Sequence, residues 1–208
     1  FDTYFNLGIA FFNKGDFETC LENYYKAIKI NNKFDKIHYN IGLTLSKIGK
    51  NKEAIKFFLE AIKINPNHIK SLNNLGSLFI NINNYDLAIY YLKEAIKINS
   101  LYANAYNNLG AAYLQKKDLK TALFYFEKAY SLDKNLIISG IQKHFLKRTF
   151  CDWSDEKELK LILKRTIETE ENVSPWFCLS LEDNVRNHFI RAKKFIKKIK
   201  LLKKNNNI

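Results

Sequence analysis

Every 34 residues this chain repeats itself, and that period limits what it can fold into more than any other feature. Leu7-Gly8, Ile41-Gly42, Leu75-Gly76 and Leu109-Gly110 recur in one register. Cys20, Ala54, Ala88 and Ala122 form a second column, Ala27, Ala61, Ala95 and Ala129 a third, and Tyr24, Phe58, Leu92 and Phe126 a fourth. Several columns in one register mark a repeat architecture, in which each unit is one supersecondary element that buries its apolar face only against its neighbours. The units run 1–34, 35–68, 69–102 and 103–136 without insertion.

Within a unit the spacing predicts two helices. In the third, Leu72, Leu75 and Phe79 fall on one face, and Tyr85, Ala88, Ile89, Leu92 and Ile96 form a second stripe, at the three-and-four spacing that a helix brings together. Gly15-Asp16, Gly49-Lys50, Asn83-Asn84 and Lys117-Asp118 punctuate the helices, and Asn65-Pro66-Asn67 marks a unit boundary. The turns are short, so the helices of a pair run antiparallel. Gly in the first helix and Ala in the second let the two approach closely. The expected fold is all-α: a solenoid of stacked antiparallel helix pairs.

The 34-residue unit resembles the tetratricopeptide repeat, and the resemblance implies a right-handed superhelical solenoid. Its fourth copy carries Tyr106, Leu109, Gly110, Tyr113, Ala122, Phe126 and Ala129 at the places where that family has its signature residues. Cys20 replaces an Ala, and Asn32, Ser100 and Lys134 stand where Pro is usual.

One column serves no packing purpose. Counting from the start of each unit, the sixth residue is always Asn: Asn6, Asn40, Asn74 and Asn108. Tyr39, Asn73 and Asn107 stand beside it. Asn is a poor residue for a helix interior, because its side chain competes for backbone hydrogen bonds. The resemblance places the first helices on the concave surface, where these amides would form a ladder. An amide offers two donors and an acceptor with two lone pairs, which suits the backbone of an extended polypeptide. The bland alternative is an Asn-rich composition that puts Asn at any exposed place.

The periodicity ends at Ile137. A fifth Leu-Gly pair would be Lys143-His144, and the small residue of the second helix would be Glu156. Residues 137–150 are expected to form a capping helix, with Ile138, Ile141, Phe145 and Leu146 closing the stack. Residues 151–208 read as a helical connector. It holds Cys151-Asp152-Trp153, a turn at Ser174-Pro175, and a long basic helix from about 182. The connector resembles the corresponding segment of bacterial protein O-GlcNAc transferases. That likeness implies a parent that moves N-acetylglucosamine from UDP-N-acetylglucosamine to Ser or Thr, with its catalytic domain downstream and this part gripping the substrate polypeptide. Trp153 would lock the connector by packing. The other reading is a repeat scaffold with no enzyme attached.

Composition trims the alternatives. The net charge is +13, and residues 137–208 carry +7 of it. The basic run from Arg191 to Lys204 is read as the exposed face of a helix rather than a nucleic-acid or membrane contact, because only Phe195 interrupts it as a stacking aromatic. Cys20, Cys151 and Cys178 make no close pair, so a reducing, cytoplasmic setting is expected. The sequence starts at Phe1 and has no Met, as expected of a fragment. There is no Gly-rich phosphate loop, and the four histidines are scattered. No catalytic residue, metal or cofactor is therefore expected in this chain itself.

Overall fold

The computed structural model describes residues 1–168, Leu181 and 184–205. Eleven helices are present among them: α1 (Asp2–Lys14), α2 (Phe17–Ile30), α3 (Asp35–Lys47), α4 (Asn51–Ile64), α5 (Ile69–Asn81), α6 (Tyr85–Ile98), α7 (Ala103–Gln115), α8 (Leu119–Leu132), α9 (Ile137–Thr149), α10 (Glu156–Glu168) and α11 (Val185–Asn205). They divide into two compact units, Phe1–Lys116 and Lys117–Ile208.

In the first unit, α1 pairs with α2, α3 with α4 and α5 with α6, and each pair stacks on the next. The repeated columns make this core. Cys20, Ala27, Ile41, Ala54, Phe58, Leu75, Ala88 and Leu92 are all fully buried. The glycine column sets the closeness of the pairs. A Cβ on Gly42 would lie 2.9 Å from the Phe58 ring, and one on Gly76 would lie 2.5 Å from Cγ of Leu92. The large fourth-column residue of the second helix thus occupies the space that glycine leaves in the first.

The turns repeat as faithfully as the core. The fifteenth residue of each repeat lies in the left-handed region: Gly15 and Gly49 at φ 80, Asn83 at 61 and Lys117 at 63. The following N–H reaches back to a carbonyl in the last turn of the helix: Asp16 to Phe11 at 3.0 Å, Lys50 to Leu45 at 2.9 Å, Asn84 to Phe79 at 2.8 Å. This left-handed ending satisfies carbonyls that the helix leaves orphaned. Asp16, Asn84 and Asp118 then cap the next helix through Thr19, Leu87 and Thr121. At the end of each second helix, Asn31, Asn65, Asn99 and Asp133 accept a hydrogen bond from the N–H two residues on.

The second unit departs from expectation. α9 is not a bare cap, because α10 packs on it. Its first residue, Ile137, sits where a fifth unit would begin, and Cys151 keeps the left-handed fifteenth place at φ 57. Asp152 N–H bonds to Lys147 C=O at 2.9 Å, as at the other turns. The pair survives after its signature residues are lost. The buried face of α9 holds Ile137, Ile141 and Leu146, whereas Ile138 and Phe145 are 52% and 37% exposed. Docking of Leu159, Ile162 and Leu163 from α10 onto Ile137 and Ile141 rotates the apolar face away from the expected one. Gly140 makes room for this, since a Cβ there would meet Ile162 Cδ1 and the Tyr130 ring at 2.9 Å.

The basic helix α11 is anchored through two of its own cations. Arg191 is 2% exposed. Its Nε donates to Thr166 Oγ1 at 2.7 Å, and its Nη2 donates to the Leu163 carbonyl at 3.0 Å. Lys194 donates to the Ile167 carbonyl. Lys194 thereby satisfies a carbonyl of the last turn of α10, where the helix dipole favours positive charge.

Candidate functional site: an amide relay on the first helices

In the first unit the first helices of successive pairs touch one another, α3 against α5 and α5 against α7. The fifth residue of one unit therefore meets the sixth residue of the next. The result is one directed chain of hydrogen bonds. Asn107 Nδ2 donates to Asn108 Oδ1 at 3.2 Å, and Asn108 Nδ2 donates to Asn73 Oδ1 at 2.9 Å. Asn73 Nδ2 donates to Asn74 Oδ1 at 3.4 Å, and Asn74 Nδ2 reaches the Tyr39 hydroxyl at 3.5 Å. Every donor points the same way, from α7 towards α3.

The relay has a physical consequence. Hydrogen bonds in series polarise one another, and a buried amide held at both ends cannot rotate freely. Asn73 is buried, and Asn74 and Asn108 are half-buried. The contacts above use one N–H and one lone pair of Asn74 and of Asn108. A second donor and a second lone pair belong to each amide. Tyr39 accepts this hydrogen bond from Asn74 and so keeps its own O–H to give. Burial raises the Tyr39 pKa, partly offset by that Asn74 bond, and the phenol stays protonated. The Tyr39 ring lies 5.0 Å from that of His68, whose pKa burial lowers.

Not every predicted rung joins. Asn40 lies near the Tyr24 hydroxyl, where it partly opposes the burial that raises the Tyr24 pKa, and Asn6 is exposed and stands apart. The role of Tyr24 escapes sequence reasoning, which treats that column as pure core. A second omission is Gln142, the residue at the sixth place of α9. It is 7% exposed, and its Oε1 has no hydrogen-bond partner.

Below the relay, the twelfth place of each unit lies two turns on from the fifth, on the same face as Tyr39, Asn73 and Asn107. Phe12, Ile80 and Leu114 are half-buried there, and Ser46 breaks the row. Asn13, Lys47, Asn81 and Gln115 form an exposed edge beyond it. The groove positions carry one ammonium, Lys47, and no carboxylate.

The connector residues behave differently from expectation. Trp153 is 60% exposed, and instead of packing into a core it lies under the Arg148 guanidinium, 4.9 Å from the ring centroid. Cys151 is exposed. Asp152 accepts from Ser154 N–H at 2.9 Å, and the Ser154 side chain first, with that N–H second, holds its carboxyl below the usual range. Ser174 and Pro175 lie outside the described residues. The nearby charges pair among themselves: Lys143 with Glu158 at 2.6 Å, Lys134 with Glu158 at 2.8 Å and Lys147 with Asp155 at 2.9 Å. Among the described residues there is no group of three His, Cys, Asp or Glu able to hold a metal, and no helix is long and apolar enough to cross a membrane.

The sequence matches tetratricopeptide-repeat models at residues 35–68 and 103–136, at 8–49 and at 57–90. No curated protein sequence matches it. Among solved structures it is similar to a MamA protein, at 25% identity over 71% of this chain and 80% of that one, with a TM-score of 0.64. It is similar to pilF of Pseudomonas aeruginosa, at 21% identity over 98% and 90%, with a TM-score of 0.68. It is also similar to YrrB, described as a TPR protein with an unusual peptide-binding site, at 20% identity over 79% and 84%, with a TM-score of 0.59. The likeness to pilF and to YrrB, at these identities, is one of fold.

Proposed function

From the premise that this chain belongs to the tetratricopeptide-repeat family, we propose that the surface built from α1, α3, α5 and α7 binds an extended stretch of another polypeptide, and that the protein works as a non-enzymatic interaction scaffold. The relay from Asn107 to Tyr39 carries this reading. It holds amides in fixed orientations on a half-open surface, which lowers the ordering cost of capturing a backbone. The peptide-binding site in the name of YrrB supports the same use of the fold. The glycosyltransferase resemblance of the connector stays an expectation of the sequence: neither the matched repeat models nor the similar structures carry it, and half of its motif lies outside the described residues.

The test is selection of displayed random peptides on the immobilised protein, followed by titration of the winners. Replacing Asn40, Asn74 and Asn108 together by Ala should weaken binding about tenfold or more, at roughly 0.5–1.5 kcal/mol for each hydrogen bond removed. Helicity by circular dichroism should not change. Failure to select any peptide, or an unchanged Kd in the triple variant, overturns the reading.

A further inference from the structure

The relay and the row beneath it form two parallel tracks across the first helices of the first unit. One track is amide: Asn107, Asn108, Asn73, Asn74 and the Tyr39 hydroxyl. The other is apolar, with half-buried Phe12, Ile80 and Leu114 and a polar gap at Ser46. Two helical turns separate the fifth-place residues of the first track from the second track along each helix, about 10 Å. A backbone lying on the first track therefore sends side chains towards the second.

The spacing along the tracks fixes a period. Side-chain hydrogen bonds tie neighbouring first helices directly, Asn108 to Asn73 and Asn74 to Tyr39. Helices in such contact lie about 8–10 Å apart. An extended chain rises about 3.1–3.4 Å per residue. Each helix pair is thus spanned by about three residues, the period at which a polyproline-II strand returns a side chain to one face. A β-strand period of two would put its apolar residues out of step with the row.

Resting on the peptide-binding reading above, we infer that the groove is specific for an uncharged, extended segment with apolar side chains three residues apart, facing Leu114, Ile80 and Phe12, and a small polar residue opposite Ser46. The pattern is apolar at residues 1, 4 and 10 with a polar residue at 7, read in either chain direction. Charge takes no part in recognition. The groove positions hold one ammonium and no carboxylate, although the whole chain carries +13. An acidic peptide would be drawn to the basic charge elsewhere on the protein and released by salt.

Fluorescein-labelled peptides of about ten residues, built on a Ser/Thr/Asn background with three Leu, test this by anisotropy. The placements compared are 1, 4, 10; its reverse 1, 7, 10; 1, 3, 5; and 1, 5, 9. A matched peptide with three Glu is the charged control. One of the first two should bind about tenfold more tightly than the others, a difference of about 1.4 kcal/mol, and should keep its Kd between low and high salt. Leu114→Ser should erase the preference. Ser46→Leu, which fills the gap and does not depend on loss of packing, should add affinity for a peptide with Leu at 1, 4, 7 and 10. Equal binding of all placements, or a preference for the Glu peptide that salt removes, overturns this inference while leaving peptide binding intact. Binding of no peptide at all overturns both.

Discussion

Asn108 on α7 donates its side-chain N–H to Oδ1 of Asn73 on α5 at 2.9 Å, across 35 residues of sequence. The bond crosses one unit boundary and one register step. It turns a column of polar residues into a link between neighbouring helix pairs. A column that only served solvation would not need its members to meet.

Stability should therefore depend on the relay in the protein alone. Asn73 is 7% exposed and bonds on both sides. Asn73→Ala leaves a half-buried Asn108 N–H and an Asn74 carbonyl each short of a partner, which costs about 1–3 kcal/mol. Asn6→Ala, at an exposed member of the neighbouring sixth-place column, should shift stability by less than about 0.5 kcal/mol. Urea unfolding of the two variants decides the matter. Equal midpoints would mean that the hydrogen bonds of the relay contribute nothing to the fold.

The glycine column makes a prediction of opposite sign to helix propensity. In an exposed helix Gly→Ala gains about 1 kcal/mol. At Gly76 the added Cβ would meet Leu92 Cγ at 2.5 Å, inside a core where Leu92 is fully buried. Overpacking of this kind costs about 1–3 kcal/mol, so Gly76→Ala should be net destabilising. Leu92→Ala removes the opposing atoms and opens a cavity that the new methyl partly fills. The double variant should lose about 1 kcal/mol less than the sum of the singles. Additive losses in denaturant titration would show that the two side chains do not share this space.

The helix pairs were legible from the sequence because their determinants are local and recur: an apolar stripe, a small residue, a turn. Asn6, Asn40, Asn74 and Asn108 were legible as a column for the same reason. Their connectivity was not, because each bond joins the sixth place of one unit to the fifth of the one before, and no stripe encodes that step. The left-handed turn was hidden by residue identity, since Gly15, Gly49, Asn83, Lys117 and Cys151 share a conformation but not a chemistry. In the second unit the expectation failed where tertiary docking decided the face. Ile141 and Leu146 are buried as expected, but Ile138 and Phe145 give up burial to Ile137 once α10 settles on α9. Trp153 satisfies its ring on the Arg148 cation rather than in a core.

Acid should weaken the fold in two stages. His144 is 3% exposed, with Nε2 3.6 Å from Glu158 Oε2. That carboxylate and Asp155 favour its protonation, but burial, then Lys143, together with Lys147, outweigh them and lower its pKa from 6.5. His68 is lowered as well, first by burial, with Lys70 and Lys36 adding to it against the opposing Asp35. A folded-state pKa below the unfolded one means that the unfolded chain binds more protons as pH falls through about 6.5, so stability drops in that window. The carboxylates follow at lower pH. Asp155 is held below 3.8 by the Lys147 hydrogen bond and the Lys143 and Lys147 charges. For Glu158 burial pulls upward, but the bonds from Lys134 and Lys143 prevail and hold it below 4.5. Their contribution is present above the unfolded values and is lost as pH falls through the folded ones. Urea midpoints should therefore decline from pH 7.5 to 5.5 and decline again below about 4.5. His68→Asn keeps a side chain able to cap α5, where His68 Nδ1 accepts from Ser71 N–H at 3.1 Å, and removes one titrating group. Combined with His144→Gln it should flatten the first stage and spare the second. A first stage of undiminished slope in the double variant would assign the proton uptake to other groups.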